Sequence, residues 1–102
     1  MSNISFRELT AYKKSFSLAM EIFQLTASFP KEEKYGLSSQ IKRSSRSVCA
    51  TIAERYRKRI YRAYFVSKST DADMENSETQ AWLDFALHCK FIEQDKYKNL
   101  HD

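Results

Sequence analysis

The chain has 102 residues, 42% of them hydrophobic and 14% aromatic, a net charge of +4, one glycine (Gly36) and one proline (Pro30). Tight hairpins, phosphate-cradling loops and strand-to-helix turns need Gly, Pro or Asn at positions of special backbone geometry. β-Sandwiches, Rossmann units and P-loops are therefore excluded, and an all-α fold in a single domain, residues 1–102, remains.

The apolar content is ample for a core. A chain this short still buries only about 60–65% of its unfolded surface, and small bundles often gain the rest of their stability by associating. Cys49 and Cys89 lack zinc-site spacing and are too few for a disulfide framework. Both lie inside helical patterns, so both are expected to be reduced, buried small hydrophobes in a cytoplasmic protein. No apolar run approaches the ~18–20 residues of a membrane span, and the first seven residues lack a basic-then-apolar leader. A soluble protein without membrane contact is expected.

The first helix is expected from about Glu8 to Ser28. Leu9, Tyr12, Phe16, Ala19 and Phe23 form one stripe at helical spacing; Leu18, Ile22, Leu25 and Phe29 form a second beside it. Two stripes make the apolar arc wide, so this helix packs on two neighbours or contributes to an oligomer interface. Pro30 ends it, because proline disfavours helical geometry in the residue before it. Residues 31–36 read as a charged connector, with Ser38 or Ser39 as the N-cap of the second helix.

Leu37, Ile41, Ser45, Val48 and Ile52 mark the inner face of the second helix. The small residues around them (Ser44, Ser47, Ala50, Thr51, Ala53) allow a neighbour to approach closely. Nothing in this stretch terminates a helix, so the turn is placed at the densest charge, Arg57-Lys58-Arg59. A third helix of about 30 residues then runs from Tyr61 to Lys90. Its stripe is Phe65, Ser69, Ala72, Asn76, Thr79, Leu83 and Ala86, polar in the middle, where buried groups would need partners. Phe91 and Ile92 close the apolar end. A fourth helix starts near Asp95 and carries Tyr97 and Leu100.

Charge is polarised along this layout. Residues 1–41 carry +1, residues 42–62 carry +7, residues 63–70 carry +1 and residues 71–102 carry −5. Such asymmetry is the most functional-looking feature of the composition.

Several stretches resemble one bacterial family. They are F-R-E-L at Phe6 to Leu9, F-P-K-E-E-K-Y-G-L at Phe29 to Leu37, S-Q-I-K-R from Ser39, S-V-C-A-T-I-A-E at Ser47 to Glu54, and E-N-S-E-T-Q-A-W-L at Glu75 to Leu83. The chain resembles, over about Phe6 to Tyr97, the four-helix bundle proteins, also labelled the large-subunit ribosomal RNA intervening-sequence protein family. The resemblance implies an antiparallel up-and-down four-helix bundle assembled as a ring-like homopentamer. It also implies kinship with the basic accessory protein of diversity-generating retroelements, which partners a reverse transcriptase and nucleic acid. For most members no biochemical function is established. Thr51 stands where the family usually has Asn, and Arg55 where it usually has Gly, removing a helix terminator and adding charge. The fourth helix, several turns long in the family, is short or truncated here.

Two basic clusters are the candidate nucleic-acid contacts. In the run from Arg55 to Phe65, the cations Arg55, Arg57, Lys58, Arg59 and Arg62 can meet phosphates and Tyr61 can stack on a base. The bland reading is a solvated corner with Tyr56 and Tyr64 packed in the core. Lys42, Arg43 and Arg46 form the second cluster. Like charges three and four residues apart repel by a few tenths of a kcal/mol, so either a polyanion or Asp71, Asp73, Glu75 and Glu78 of the third helix should compensate them.

Enzymatic readings lack their residues. A di-iron bundle needs Glu-x-x-His on two helices, but Phe85 precedes His88 and Lys98 precedes His101 at that spacing. Glu54, Glu75 and Glu78 are instead expected to hydrogen-bond across helices, with Ser47, Thr51 and Asn76 as candidates. His88 and Cys89 are adjacent and point about 100° apart on a helix, so they are no nucleophile–base pair. No metal, no cofactor and no catalysis are expected. Two functions stay open: an oligomer presenting basic rims to RNA or DNA, and a protein-binding scaffold using the first helix or the acidic third.

Overall fold

Ser5 opens the part of the chain that the computed structural model describes, residues 5–101. Its hydroxyl accepts from the Arg7 N–H at 3.2 Å, and the Glu8 carboxylate accepts from the Ser5 N–H at 3.2 Å. This reciprocal cap winds Phe6–Glu8 into a 3₁₀ turn, which delays the first helix. Helix α1 spans Thr10–Thr26, two residues later than the expected start.

Only one of the two stripes on α1 faces inward along its whole length. Ile22 and Phe29 are buried, and Leu18 and Leu25 pack against them. In the other stripe Ala19 is buried, whereas Phe16 and Phe23 are 49% and 47% exposed. Beyond Thr26 the chain tightens, with the Phe29 N–H on the Thr26 carbonyl, and leaves helical geometry at Pro30 as expected.

A second 3₁₀ turn, Lys31–Glu33, leads into helix α2, Leu37–Arg57. Its cap is neither Ser38 nor Ser39; Ser38 is buried within the first turn. The Glu33 carboxylate reaches forward and accepts from the Leu37 N–H at 3.0 Å. Gly36 makes room for it, since a Cβ there would stand 2.9 Å from that same oxygen.

Helix α2 is central, packed against α1 on one side and against helix α3, Arg62–His88, on the other. Small side chains bring α2 and α3 together. Thr79 donates to the Ser44 hydroxyl at 2.8 Å, and Ser44 donates to the Ile41 carbonyl at 3.3 Å, so these buried polar groups are satisfied. The turn between α2 and α3 falls on the charge cluster, with the Tyr61 N–H closing onto the Lys58 carbonyl at 2.9 Å.

Helix α3 stops at His88 rather than Lys90. Lys90 adopts φ 63°, the Phe91 N–H bonds the Ala86 carbonyl and the Lys90 N–H bonds the Leu87 carbonyl, both at 2.9 Å. This is the Schellman pattern, built on Lys where Gly is usual. Helix α4, Gln94–His101, then folds back, burying Leu100. The result is the expected all-α four-helix bundle with a short fourth helix.

The core lies toward one end. Ile22, Phe29, Leu37, Ile41, Leu83, Ala86, Ile92 and Leu100 form it, and the Phe29 and Phe91 rings meet at 5.5 Å. At the other end residues 61–67 are all exposed. Within the α3 stripe, Ala72, Thr79, Leu83 and Ala86 are buried, but Asn76 is exposed. Cys49 is buried as expected; Cys89 is exposed, because it caps α3 at the surface.

Candidate nucleic-acid interface

Ser39, Arg43, Arg46, Ala50 and Arg57 recur at helical spacing on the outward strip of α2. Arg43 and Arg46 are exposed and Lys42 is half-buried beside them. Arg43 leans toward α3, donating to Glu78 at 3.2 Å and to Gln40 at 2.8 Å. Arg46 leans the other way, its guanidinium 5.6 Å from the centre of the Phe23 ring on α1.

Compensation by the acidic third helix is therefore partial. Glu78 alone takes a cation of this cluster, and it also accepts from Trp82 Nε1 at 3.4 Å. Asp71 and Glu54 both turn to Lys68, at 3.9 and 3.3 Å. Among the described residues Asp73 and Glu75 have no cation within 4 Å, and one oxygen of Glu75 is buried with no hydrogen-bond partner. The expected pairing of these glutamates with Ser47, Thr51 and Asn76 does not form: the longer Arg43 and Lys68 side chains reach Glu78 and Glu54 instead.

At the corner Arg55, Lys58 and Arg59 lie on rings rather than on carboxylates. Arg59 sits 4.0 Å over the Tyr56 ring and donates to the Tyr56 carbonyl at 2.8 Å. Lys58 approaches Tyr64 and Tyr61, at 5.1 and 5.9 Å, and Arg55 lies 5.4 Å over Phe65. Interactions of this kind contribute about 0.5–1 kcal/mol at exposed sites and leave the charge uncancelled. Tyr64 is 58% exposed and Tyr56 is half-buried, so neither is a core residue. Arg57, Lys58, Arg59, Tyr61 and Arg62 are all exposed; Arg55 is half-buried.

The nine expected nucleic-acid residues thus form two clusters. Lys42, Arg43 and Arg46 lie in the first half of α2. Arg55, Arg57, Lys58, Arg59, Tyr61 and Arg62 gather at its C-terminal corner, about 16 Å further on at 1.5 Å per residue. Arg46 and Arg57, three turns apart, share a face and join the two. Two residues of the connector belong with the first cluster as well. Lys34 and Tyr35 line one shallow groove of about 540 Å³ with Ser39, Lys42, Arg43 and Arg46. The signal was present in the spacing: residues 35, 39, 42 and 46 continue the α2 period backward through Gly36.

Among the described residues no group of three or more His, Cys, Asp or Glu is gathered as metal ligands would be, and no helix is long and apolar enough to cross a membrane. The arrangement offers guanidinium and ammonium groups, flat rings and little nearby negative charge. The sequence profile of the 23S rRNA-intervening sequence proteins matches residues 7–102. The chain belongs to that family. Its fold is similar to the crystal structure of a protein with unknown function from the S23 ribosomal protein family of Bacteroides thetaiotaomicron, at TM-score 0.78 and 26% identity, covering 90% of this chain and 85% of that one. No curated protein matches. As a 23S rRNA-intervening sequence protein, the chain has the Glu33–Gly36–Leu37 cap and the Ser44–Thr79 hydrogen bond inside or beside the motifs that carried the resemblance.

Proposed function

We propose that the chain is a non-enzymatic, cytoplasmic homo-oligomer, a pentameric ring, that binds RNA or DNA through the phosphates with little base specificity. The observation that carries this reading is the state of the charges. Apart from Arg43, no cation from Lys42 to Arg62 has a carboxylate within 4 Å among the described residues. Uncancelled cations focus a field that draws a polyanion and release its counterions on binding.

Self-association is supported by apolar exposure. Phe16, Met20 and Phe23 on α1, and Phe65 and Val66 on α3, are between 36% and 52% exposed. Covering apolar surface contributes about 25 cal/mol per Å². In a ring, the +7 segment would repeat once per subunit along one rim.

The test is fluorescence anisotropy of a labelled RNA hairpin at four salt concentrations, with the wild-type chain and an Arg57→Ala/Lys58→Ala/Arg59→Ala variant. Micromolar binding with a linear log K–log salt slope, weakened in the variant for all sequences alike, is the expected result. No binding even at low salt would overturn it. The corner would then be a solubility or subunit-interface feature, and the exposed strip of α1 would become the face of a protein-binding scaffold.

A further inference from the structure

Tyr35 is the most exposed large apolar side chain among the described residues, at 85%, and it stands in the connector just before α2. An aromatic ring that contributes nothing to a core exposes apolar surface at a cost, which is offset when something flat covers it. One clue to the cover is the ring's own neighbour: Lys34 Nζ lies 5.4 Å from its centroid. The groove that begins at Tyr35 supplies the rest. Its floor is the small side chain of Ser39, and its cations Lys42 and Arg46 have no carboxylate within 4 Å among the described residues. Arg43, on the α3 side, is already held by Gln40 and Glu78 and needs no reordering to present its remaining donors.

We infer that this groove holds an unpaired nucleotide of a single-stranded nucleic acid. Its base stacks on the open face of Tyr35, and the backbone phosphates that follow lie on Lys42 and Arg46. The inference rests on the nucleic-acid reading and narrows it. Stacking needs a base that is out of the duplex, because paired bases cover each other's faces. A ring with cations placed along one helix face beyond it is the combination by which single strands are bound without sequence readout. The corner cations bind phosphates of any strand; the Tyr35 groove selects for unpaired ones.

The experiment compares two labelled single strands, twelve uridines as RNA and twelve thymidines as DNA, with an RNA hairpin stem carrying no unpaired bases except its loop closure. Each is titrated by anisotropy against the wild-type chain, Tyr35→Ala, Tyr35→Phe and Lys42→Ala/Arg46→Ala. Circular dichroism melts check that every variant is folded, which substitution of an 85% exposed side chain leaves undisturbed. Tyr35→Ala is expected to weaken the single strands by about five- to a hundredfold and to leave the stem unchanged. Tyr35→Phe, which keeps the ring, is expected to restore binding, with upfield shifts of its ring protons on adding the strand. Lys42→Ala/Arg46→Ala is expected to weaken the strands and reduce their salt slope. Tighter binding of the RNA strand would assign the ligand as RNA, and equal binding would assign a site indifferent to the 2′-hydroxyl. Unchanged single-strand affinity in Tyr35→Ala, or equal losses for strand and stem, would overturn the groove while leaving the corner reading in place. Absence of binding to every probe would remove the nucleic-acid reading itself.

Discussion

Gly36 and Glu33 show how much one residue's absence of side chain can set. The Glu33 carboxylate caps α2 only because nothing stands at the Cβ position of Gly36, 2.9 Å from its oxygen. Gly36→Ala should swing this flexible carboxylate away and uncap the helix, a loss of about 1 kcal/mol. Glu33→Ala should cost about the same. Because both substitutions remove one interaction, the double variant should cost little more than either alone, as read by urea denaturation. Losses that sum would mean that Gly36 acts through something other than the cap. This cap is not legible in the sequence, since Ser38 and Ser39 carry the stronger local signal and yield to a side chain four residues before Leu37. Lys90 is illegible for a related reason. Nothing in a lysine announces φ 63°, and the position is set by packing Phe91 onto Phe29.

At the scale of elements, periodicity identifies which faces are apolar but not how deep each lies. The α1 arc reads as wide, and the structure divides it into an inward stripe through Ile22 and a half-exposed one through Phe16 and Phe23. The α3 stripe is readable too, yet its first two turns lie bare because α1 and α4 cover only the other end. The corner does fall at Arg57-Lys58-Arg59, placed there by charge density rather than by any breaker residue. Helix α4 is held by Leu100 in the core and by Tyr97, whose hydroxyl donates to Asp84 at 2.6 Å. That bond to a carboxylate holds the Tyr97 phenol above its ordinary value near 10. Only the protonated phenol donates, so the folded state binds this proton more tightly than the unfolded chain. Its contribution to stability is fully present below about pH 10 and is lost as pH rises through the elevated folded value. The difference in Tm between the wild-type chain and Tyr97→Phe should therefore be constant from about pH 7 to 9 and shrink above about 10, by circular dichroism melts. No difference between the two at any pH would place the role of Tyr97 in its ring, which Phe keeps, rather than in its hydroxyl.

Over the whole molecule, a body 48 Å long, the core gathers toward one end while uncancelled positive charge runs along α2 from beside that core to the far corner. The charge asymmetry is plain in the sequence, but its division into two clusters depends on where α2 ends and on which cations Glu78, Glu54 and Asp71 claim. The clusters lie about 16 Å apart along α2, roughly twice the Debye length of about 8 Å at 0.15 M salt. At that ionic strength each should meet its own stretch of phosphates and act independently. The reductions in log K caused by Lys42→Ala/Arg46→Ala and by Arg57→Ala/Lys58→Ala/Arg59→Ala should then add in the fivefold variant. Their salt slopes on a single strand should fall by about 0.7 for each phosphate left unneutralised, near 1.4 for the pair and 2.1 for the triple if every cation neutralises one phosphate. At 0.01 M salt, where the Debye length of about 30 Å spans both clusters, the two losses should no longer be separable. Anisotropy titrations of one single strand across that range measure all of these quantities. Losses at about 0.15 M that fall well short of additive would mean that one cluster alone binds and the other only strengthens the field around it.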